Sequence, residues 1–209
     1  MNVTIIGTGN MARGIGSRLL AGGHHVTVLG KKPADAEEVL KDLGAKGSAK
    51  AGQSGDAISD EVVVLAVYYP DAQAAVEQYG DALSGKVLVD ITNPVKDNLD
   101  GLVTPPDSSA AQQLGARAHG AKVVKAFNTT FAGTLREGRV ADESLDVFVA
   151  SDDVDAKATV SKLIEDGGLR PVDAGPLARA RELEAAGLLH MSIQSNLGTG
   201  FGSALKVLG

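Results

Sequence analysis

The 209-residue chain contains no cysteine and no tryptophan. Without a thiol there is no disulfide, no thiolate metal ligand and no cysteine nucleophile, and the composition suits a reducing compartment. Four phenylalanines and three tyrosines are too few for the stacked aromatic platform of a single-strand nucleic-acid binder. A formal charge of −6 also argues against nucleic acid as a partner. No apolar run approaches the roughly 20 residues of a membrane span. The first such run, Val3–Ile6, is too short for a secretory signal, so a cytoplasmic protein off the membrane is expected. Also absent are the Walker pattern G-x-x-x-x-G-K-[ST], a Ser-His-Asp constellation and any metal-ligand grouping at recognisable spacing. No catalytic acid–base residue and no metal site are therefore expected.

What is present begins at residue 2. The β-branched run Val3-Thr4-Ile5-Ile6 leads into Gly7-Thr8-Gly9-Asn10-Met11-Ala12, a G-x-G-x-x-A pattern followed by helical periodicity. In a dinucleotide site the first glycine allows the tight turn and the second admits the pyrophosphate. The third position must be small so that the helix packs close to the strand. The helix N-terminus then offers free N–H groups and partial positive charge. A glycine turn alone is weak evidence. Here Asn10–Leu20 reads as a helix and Val26–Leu29 as a second strand, completing a β-α-β unit of about 30 residues.

The end of that second strand decides between dinucleotides. NAD enzymes place a carboxylate there to hold the adenosine ribose; this chain has Gly30-Lys31-Lys32. Two lysines attract a 2′-phosphate that a carboxylate would repel, and Gly30 leaves room for it. The reading is NADP(H), against the plainer one that two lysines solvate a loop.

Further elements alternate: a helix at Ala34–Leu43, a short strand at Lys46–Lys50, and an apolar strand at Glu61–Val67. A helix at Asp71–Tyr79 and a strand at Lys86–Ile91 follow, then a helix at Ser108–Ala118 and a strand at Ala121–Phe127. The rest reads as a strand at Leu145–Ala150, a helix at Val154–Asp166, a strand at Leu169–Val172 and a helix at Leu177–His190, with Leu177, Leu183, Ala186, Leu189 and His190 among its packing candidates. The fold expected is α/β, a Rossmann-type doubly wound, mostly parallel sheet with a small helical C-terminal extension. Residues 1–150 are assigned to the dinucleotide-binding domain and 151–209 to the extension. Residues just beyond parallel strands face the cofactor crevice, which makes Ala66, Val67, Tyr68, Pro70, Asn93, Pro94, Ala126 and Asn128 candidates for the nicotinamide end. The long polar Thr92–Pro106 segment is a candidate lid. His190 is expected as a satisfied core or interface histidine. Gly198–Gly202 follows a helix rather than a strand, so a flexible or subunit-contacting tail is expected there. Hydride transfer between two bound cofactors needs positioning more than acid–base help, which suits the absence of a triad.

The opening Thr8-Gly9-Asn10-Met11, Lys31-Lys32, Val123–Thr129 and Gly168–Leu177 together resemble the F420-dependent NADP oxidoreductases over essentially the whole chain. The resemblance implies a Rossmann domain with a small C-terminal part, a homodimer, and hydride passed between NADP(H) and coenzyme F420. It implies phosphate contacts at Thr8, Asn10 and Met11, 2′-phosphate contacts at Gly30, Lys31 and Lys32, and a nicotinamide end near Ala66, Val67, Pro94, Ala126 and Asn128. It departs at Asn128, where several F420-using members carry histidine; Lys125-Ala126-Phe127-Asn128-Thr129 is similar to the NADPH domain of membrane ferric reductases, which pass electrons to a flavin. The acceptor expected is F420 or a related flavin. Reduction of a small imine or carbonyl and a non-catalytic NADPH-binding module are the alternatives.

Overall fold

A computed structural model describes residues 1–45 and 47–208. In chain order the elements are β1 (Asn2–Ile6), α1 (Asn10–Ala21), β2 (His25–Gly30), α2 (Pro33–Asp42), β3 (Ala49–Gln53), β4 (Val62–Leu65) and α3 (Tyr69–Tyr79). Then come β5 (Val87–Asp90), α4 (Ala110–Arg117), β6 (Lys122–Lys125), α5 (Ala132–Glu137) and the hairpin β7 (Arg139–Val140) and β8 (Glu143–Ser144). The chain continues through β9 (Asp146–Ala150), α6 (Val154–Asp166), β10 (Arg170–Gly175), α7 (Ala180–Ser192) and α8 (Gln194–Leu197).

One sheet runs β10-β9-β6-β5-β4-β1-β2-β3. From β6 to β3 every neighbouring pair is parallel, and the order β3-β2-β1-β4-β5-β6 is that of a dinucleotide-binding sheet. The order reverses between β1 and β4, so a crevice opens above their C-terminal ends. Strands β4 and β5 are buried at every residue, as expected of central parallel strands covered on both sides. Ala12, Ile15 and Leu19 of α1, Val39 of α2 and Val160 of α6 pack on one face. Val76 of α3, Leu114 of α4 and Ala180 of α7 cover the other.

The Rossmann-type, mostly parallel fold is as expected, with corrections at its far edge. Strand β9 meets β6 antiparallel, at Lys125↔Ala150, and β10 is parallel to β9, so these two strands run against the others. A crossover back to the opposite edge takes a dozen or more residues. The connection from Lys125 to Asp146 is long enough for one, but its short helix α5 and the β7–β8 hairpin bring the chain back at the edge where β6 ended, and β9 starts there. The β7–β8 hairpin has no alternating apolar pattern to announce it. The short strand expected at 46–50 lies at Ala49–Gln53, Lys46 being outside the described residues. Helix α4 starts later than expected because Ser109 is its N-cap, its hydroxyl accepting from Gln112 N. The Leu177–His190 helix begins as a 3-10 turn over Leu177–Arg179, and Leu189, expected to pack, is 62% exposed.

Candidate functional site

At the end of β1, Gly7 has φ +124, and a Cβ there would collide with the carbonyl of Ala66. Only glycine admits that crossing of β1's exit over β4's. Gly7 N donates to Leu29 O at 2.9 Å, tying the turn to β2. Gly9 is the N-cap of α1 and has no side chain to occupy the helix's free N–H groups. Among the described residues no atom beyond its chain neighbours lies within 4 Å of where its Cβ would stand, so the backbone is open to an approaching group. The first turn, from Asn10 to Arg13, contains no carboxylate. Thr8 and Met11 are half-buried, Asn10 is exposed, and Ala12 is fully buried against the sheet. The turn is braced by Arg13, which sequence reasoning missed. Its guanidinium donates to Thr8 O and reaches Asp42 at 3.0 Å and Glu38 at 3.3 Å.

Beside this turn, β2 ends in Gly30. A Cβ at Gly30 would sit 2.7 Å from Lys32 O and 3.0 Å from Thr8 Cγ2. The glycine is therefore needed for the loop to fold back against the first turn, a packing reason separate from the expected room for a phosphate. Lys31 and Lys32 are both exposed. Lys31 Nζ pairs with Asp71 Oδ1, in the first turn of α3, at 3.1 Å, a partner the sequence reading did not anticipate. Lys32 stands at the N-cap of α2.

Toward the middle of the sheet, Ala66 is buried and Val67 half-buried, while Tyr68 is 84% exposed at the N-cap of α3. The adjacent Tyr69 is core, its hydroxyl donating to Gln113 Oε1 at 2.7 Å. Pro70 is exposed and Pro94 buried; Ala126 is fully buried. Asn93 and Asn128 clasp each other: Asn93 Nδ2 donates to Asn128 O at 2.7 Å, and Asn128 Nδ2 donates to Asn93 Oδ1 at 2.9 Å and Leu183 O at 2.8 Å. The Asn93 amide, expected to be available to a ligand, is thus engaged within the protein. Asn128 Oδ1 is buried without a partner among the described residues. The Thr92–Pro106 loop is pinned by a Val95↔Leu102 bridge and by Arg181 Nη1 donating to Thr104 Oγ1 at 3.0 Å.

Beneath the two asparagines lies a cluster that sequence reasoning also missed. Lys125, Asp90 and Glu184 are each fully buried. Lys125 Nζ donates to Asp90 Oδ2 at 2.7 Å, Thr92 O at 2.5 Å and Glu184 Oε1 at 2.9 Å. Glu184 accepts in turn from Ala110 N at 3.1 Å, at the start of α4. Burial pushes the Glu184 carboxyl upward, while Lys125 opposes the shift. A partial signal existed, since Asp90 and Lys125 are charged residues closing apolar strands; that they are register partners is set by the sheet.

His190 is buried and satisfied, as expected, with Nδ1 donating to Thr129 O at 3.2 Å and Nε2 facing Ser203 Oγ at 2.8 Å. The tail after α8 is held rather than loose. Phe201 lies edge-on to Phe131 at 5.1 Å, Lys206 Nζ reaches Asp146 Oδ1 at 3.1 Å, and Val207 N donates to Asp146 Oδ2 at 2.8 Å. Two surface hollows, one around His25 and Asp60 and one around Lys86 and Lys122, lie at the opposite edge of the strands, away from these glycines and lysines. Among the described residues no group of three acidic, histidine or cysteine side chains could hold a metal ion. No described helix is long and apolar enough to cross a membrane.

The family model for NADP oxidoreductase, coenzyme F420-dependent, matches residues 2–94. The F420-dependent NADP reductase of Methanothermobacter marburgensis is 32% identical over 204 residues, covering 88% of each chain. The Metalloreductase STEAP3 of Rattus norvegicus is 32% identical over 184 residues, 88% of this chain. The chain spans only about a third of that protein's length, 36%. The crystal structure of a protein assigned as an F420-dependent NADP-reductase from Arthrobacter sp. FB24 superposes with a TM-score of 0.85 at 28% identity, over 99% of both chains. By sequence along nearly its full length, the chain belongs to the F420-dependent NADP reductase family, a family of NADP-linked oxidoreductases.

Proposed function

We propose that the crevice binds NADP(H) and that the protein passes hydride between the nicotinamide and a deazaflavin of the F420 type or a related flavin. The observation that carries the cofactor is the pairing of an open helix start with lysines. The α1 N-terminus at Gly9 is unobstructed and free of carboxylates in its first turn, while Lys31 and Lys32 stand exposed at the adjoining strand end. In this reading Thr8, Gly9, Asn10 and Met11 hold the pyrophosphate by backbone N–H groups. Lys31 and Lys32 hold the 2′-phosphate. Ala66, Val67, Tyr68, Pro94, Ala126 and Asn128 line the nicotinamide end, and the Asn93–Asn128 clasp shapes its wall. When bound, the dinucleotide supplies the hydride; the protein supplies position and exclusion of water. Residues 1–150 form the cofactor-binding part, and residues 151–209 supply the acceptor side and the contact of a homodimer.

Anaerobic oxidation of NADPH tests the acceptor, with F420, FMN, FAD and no acceptor run in parallel. F420 is expected to be the fastest; oxidation by FMN or FAD alone would move the assignment to a flavin. Oxidation by none, with NADPH still bound, would leave a binding module. Charged hydrogen bonds contribute about 1.5–3 kcal/mol each when well formed, less in exposed positions. Lys31→Ala/Lys32→Ala should therefore cut the NADPH/NADH affinity ratio by about tenfold or more. An unaltered ratio would sink the 2′-phosphate assignment.

A further inference from the structure

Buried ion clusters are a poor source of stability. Taking charges out of water costs more than their attraction usually returns, and apolar replacements of equal volume often fold as well or better. Lys125, Asp90 and Glu184 are nonetheless fully buried, in a protein whose sheet is otherwise packed with valine, leucine and isoleucine. What such a cluster supplies and a leucine does not is direction. An ammonium has three donors at fixed angles, and all three of Lys125's are engaged, on Asp90 Oδ2, Thr92 O and Glu184 Oε1.

Each partner leads to the wall of the crevice. Asp90 also accepts from Thr92 N through Oδ1 at 2.8 Å, so the turn that delivers Asn93 and Pro94 is held through both its carbonyl and its amide. Glu184 belongs to α7, whose preceding residue Leu183 accepts from Asn128 through its carbonyl. One turn further along α7, Gly187 meets Asn93 so closely that a Cβ would lie 2.5 Å from Asn93 Oδ1. The ammonium carried by β6 thus joins β5 and α7 beneath the clasp, and α4 is tied in through Glu184.

We infer that Lys125, held by Asp90 and Glu184, is a positioning residue for hydride transfer: it sets the seat of the Thr92–Pro94 turn and of α7 without touching either reacting ring. This rests on the NADP(H) reading above. Hydride transfer is sensitive to such a seat, since a displacement of about 1 Å costs on the order of a hundredfold in rate.

The test is the near-isosteric, uncharged variant Asp90→Asn/Lys125→Met/Glu184→Gln, which leaves no charge stranded. It is expected to fold with a melting temperature close to wild type and to bind NADPH within about threefold of the wild-type Kd. Its single-turnover hydride transfer should be at least ~30-fold slower. Amide hydrogen exchange should quicken about tenfold in residues 92–94 and 180–190 and stay unchanged in residues 2–30. A merely structural cluster would move stability and binding together with rate. A folded triple variant with a wild-type hydride rate, or with wild-type exchange in those two segments, overturns the inference. Should the triple variant not fold, Asp90→Asn, which keeps the Lys125–Glu184 pair, should show the same pattern at smaller size, and its absence overturns the inference equally. If none of the acceptors offered oxidises NADPH with the wild-type protein, the functional reading fails, while the exchange comparison still decides whether Lys125 holds the two segments.

Discussion

At Gly7 a single hydrogen atom decides whether the first turn can form. Its φ of +124 is strained for any L side chain, and a Cβ would meet the Ala66 carbonyl, a rigid backbone neighbour. Gly7→Ala should therefore cost at least ~2 kcal/mol, read as a lower urea midpoint, in addition to weakening NADPH binding. Lys31 makes a different residue-level case, because it already has an anion beside it in Asp71. Both side chains are substantially exposed, so the pair contributes little to stability, but a 2′-phosphate bound as proposed would have to compete with that carboxylate. Asp71→Asn is expected to tighten NADPH about two- to threefold and leave NADH unchanged, and to have no effect in a Lys31→Ala background. Equal effects on both dinucleotides would show that Asp71 does not compete. Lys31 and Lys32 were legible in the sequence because their place follows from one local unit, strand, turn, helix, strand. Asp71 was not, because it comes from another strand–helix unit and meets Lys31 only across the crevice.

Among the elements, the tail after α8 illustrates how far local pattern misleads. Gly198, Gly200 and Gly202 suggest looseness, yet the segment beyond them docks on β9 through Asp146. Burial alone would raise the Asp146 carboxyl. Arg170, Val207 N–H and Lys206 outweigh it and bring the carboxyl from 3.8 down to about 2. A carboxyl lowered by folding stabilises the protein above its unfolded value and loses that contribution as pH falls through the folded one. The contribution, about 2 kcal/mol, should thus be complete above pH ~5 and fade between pH ~4 and ~2. Stability measured against pH should fall across that window, and Asp146→Asn should flatten the fall; an equally steep fall in the variant would remove Asp146 from the account. Helix α7 is a second case. Its periodicity nominated Leu189 for the core, but the face it turns inward carries Leu183, Glu184, Gly187 and His190. That face is selected by the polar partners beneath the clasp rather than by hydrophobicity alone.

For the molecule as a whole, the crevice exists because β1 and β4 are neighbours while their helices lie on opposite faces. Binding there should stabilise the entire fold. NADPH at about 100 times its Kd adds about 2.7 kcal/mol, a rise of roughly 5–11 °C in Tm for a chain of this size. NADH at the same concentration should give a clearly smaller rise, and equal shifts would contradict the lysine assignment. The sequence by itself determined the alternation of strands and helices, the glycine turn, the lysine-ended second strand and hence the dinucleotide class, because each depends on residues a few positions apart and on the chain's own periodicity. Only the tertiary structure decided which way β9 and β10 run, that Asn93 is engaged with Asn128, that Asp71 faces Lys31, and that Lys125 lies between Asp90 and Glu184. Those are contacts between segments tens of residues apart, set by how the layers pack, and no local pattern encodes them.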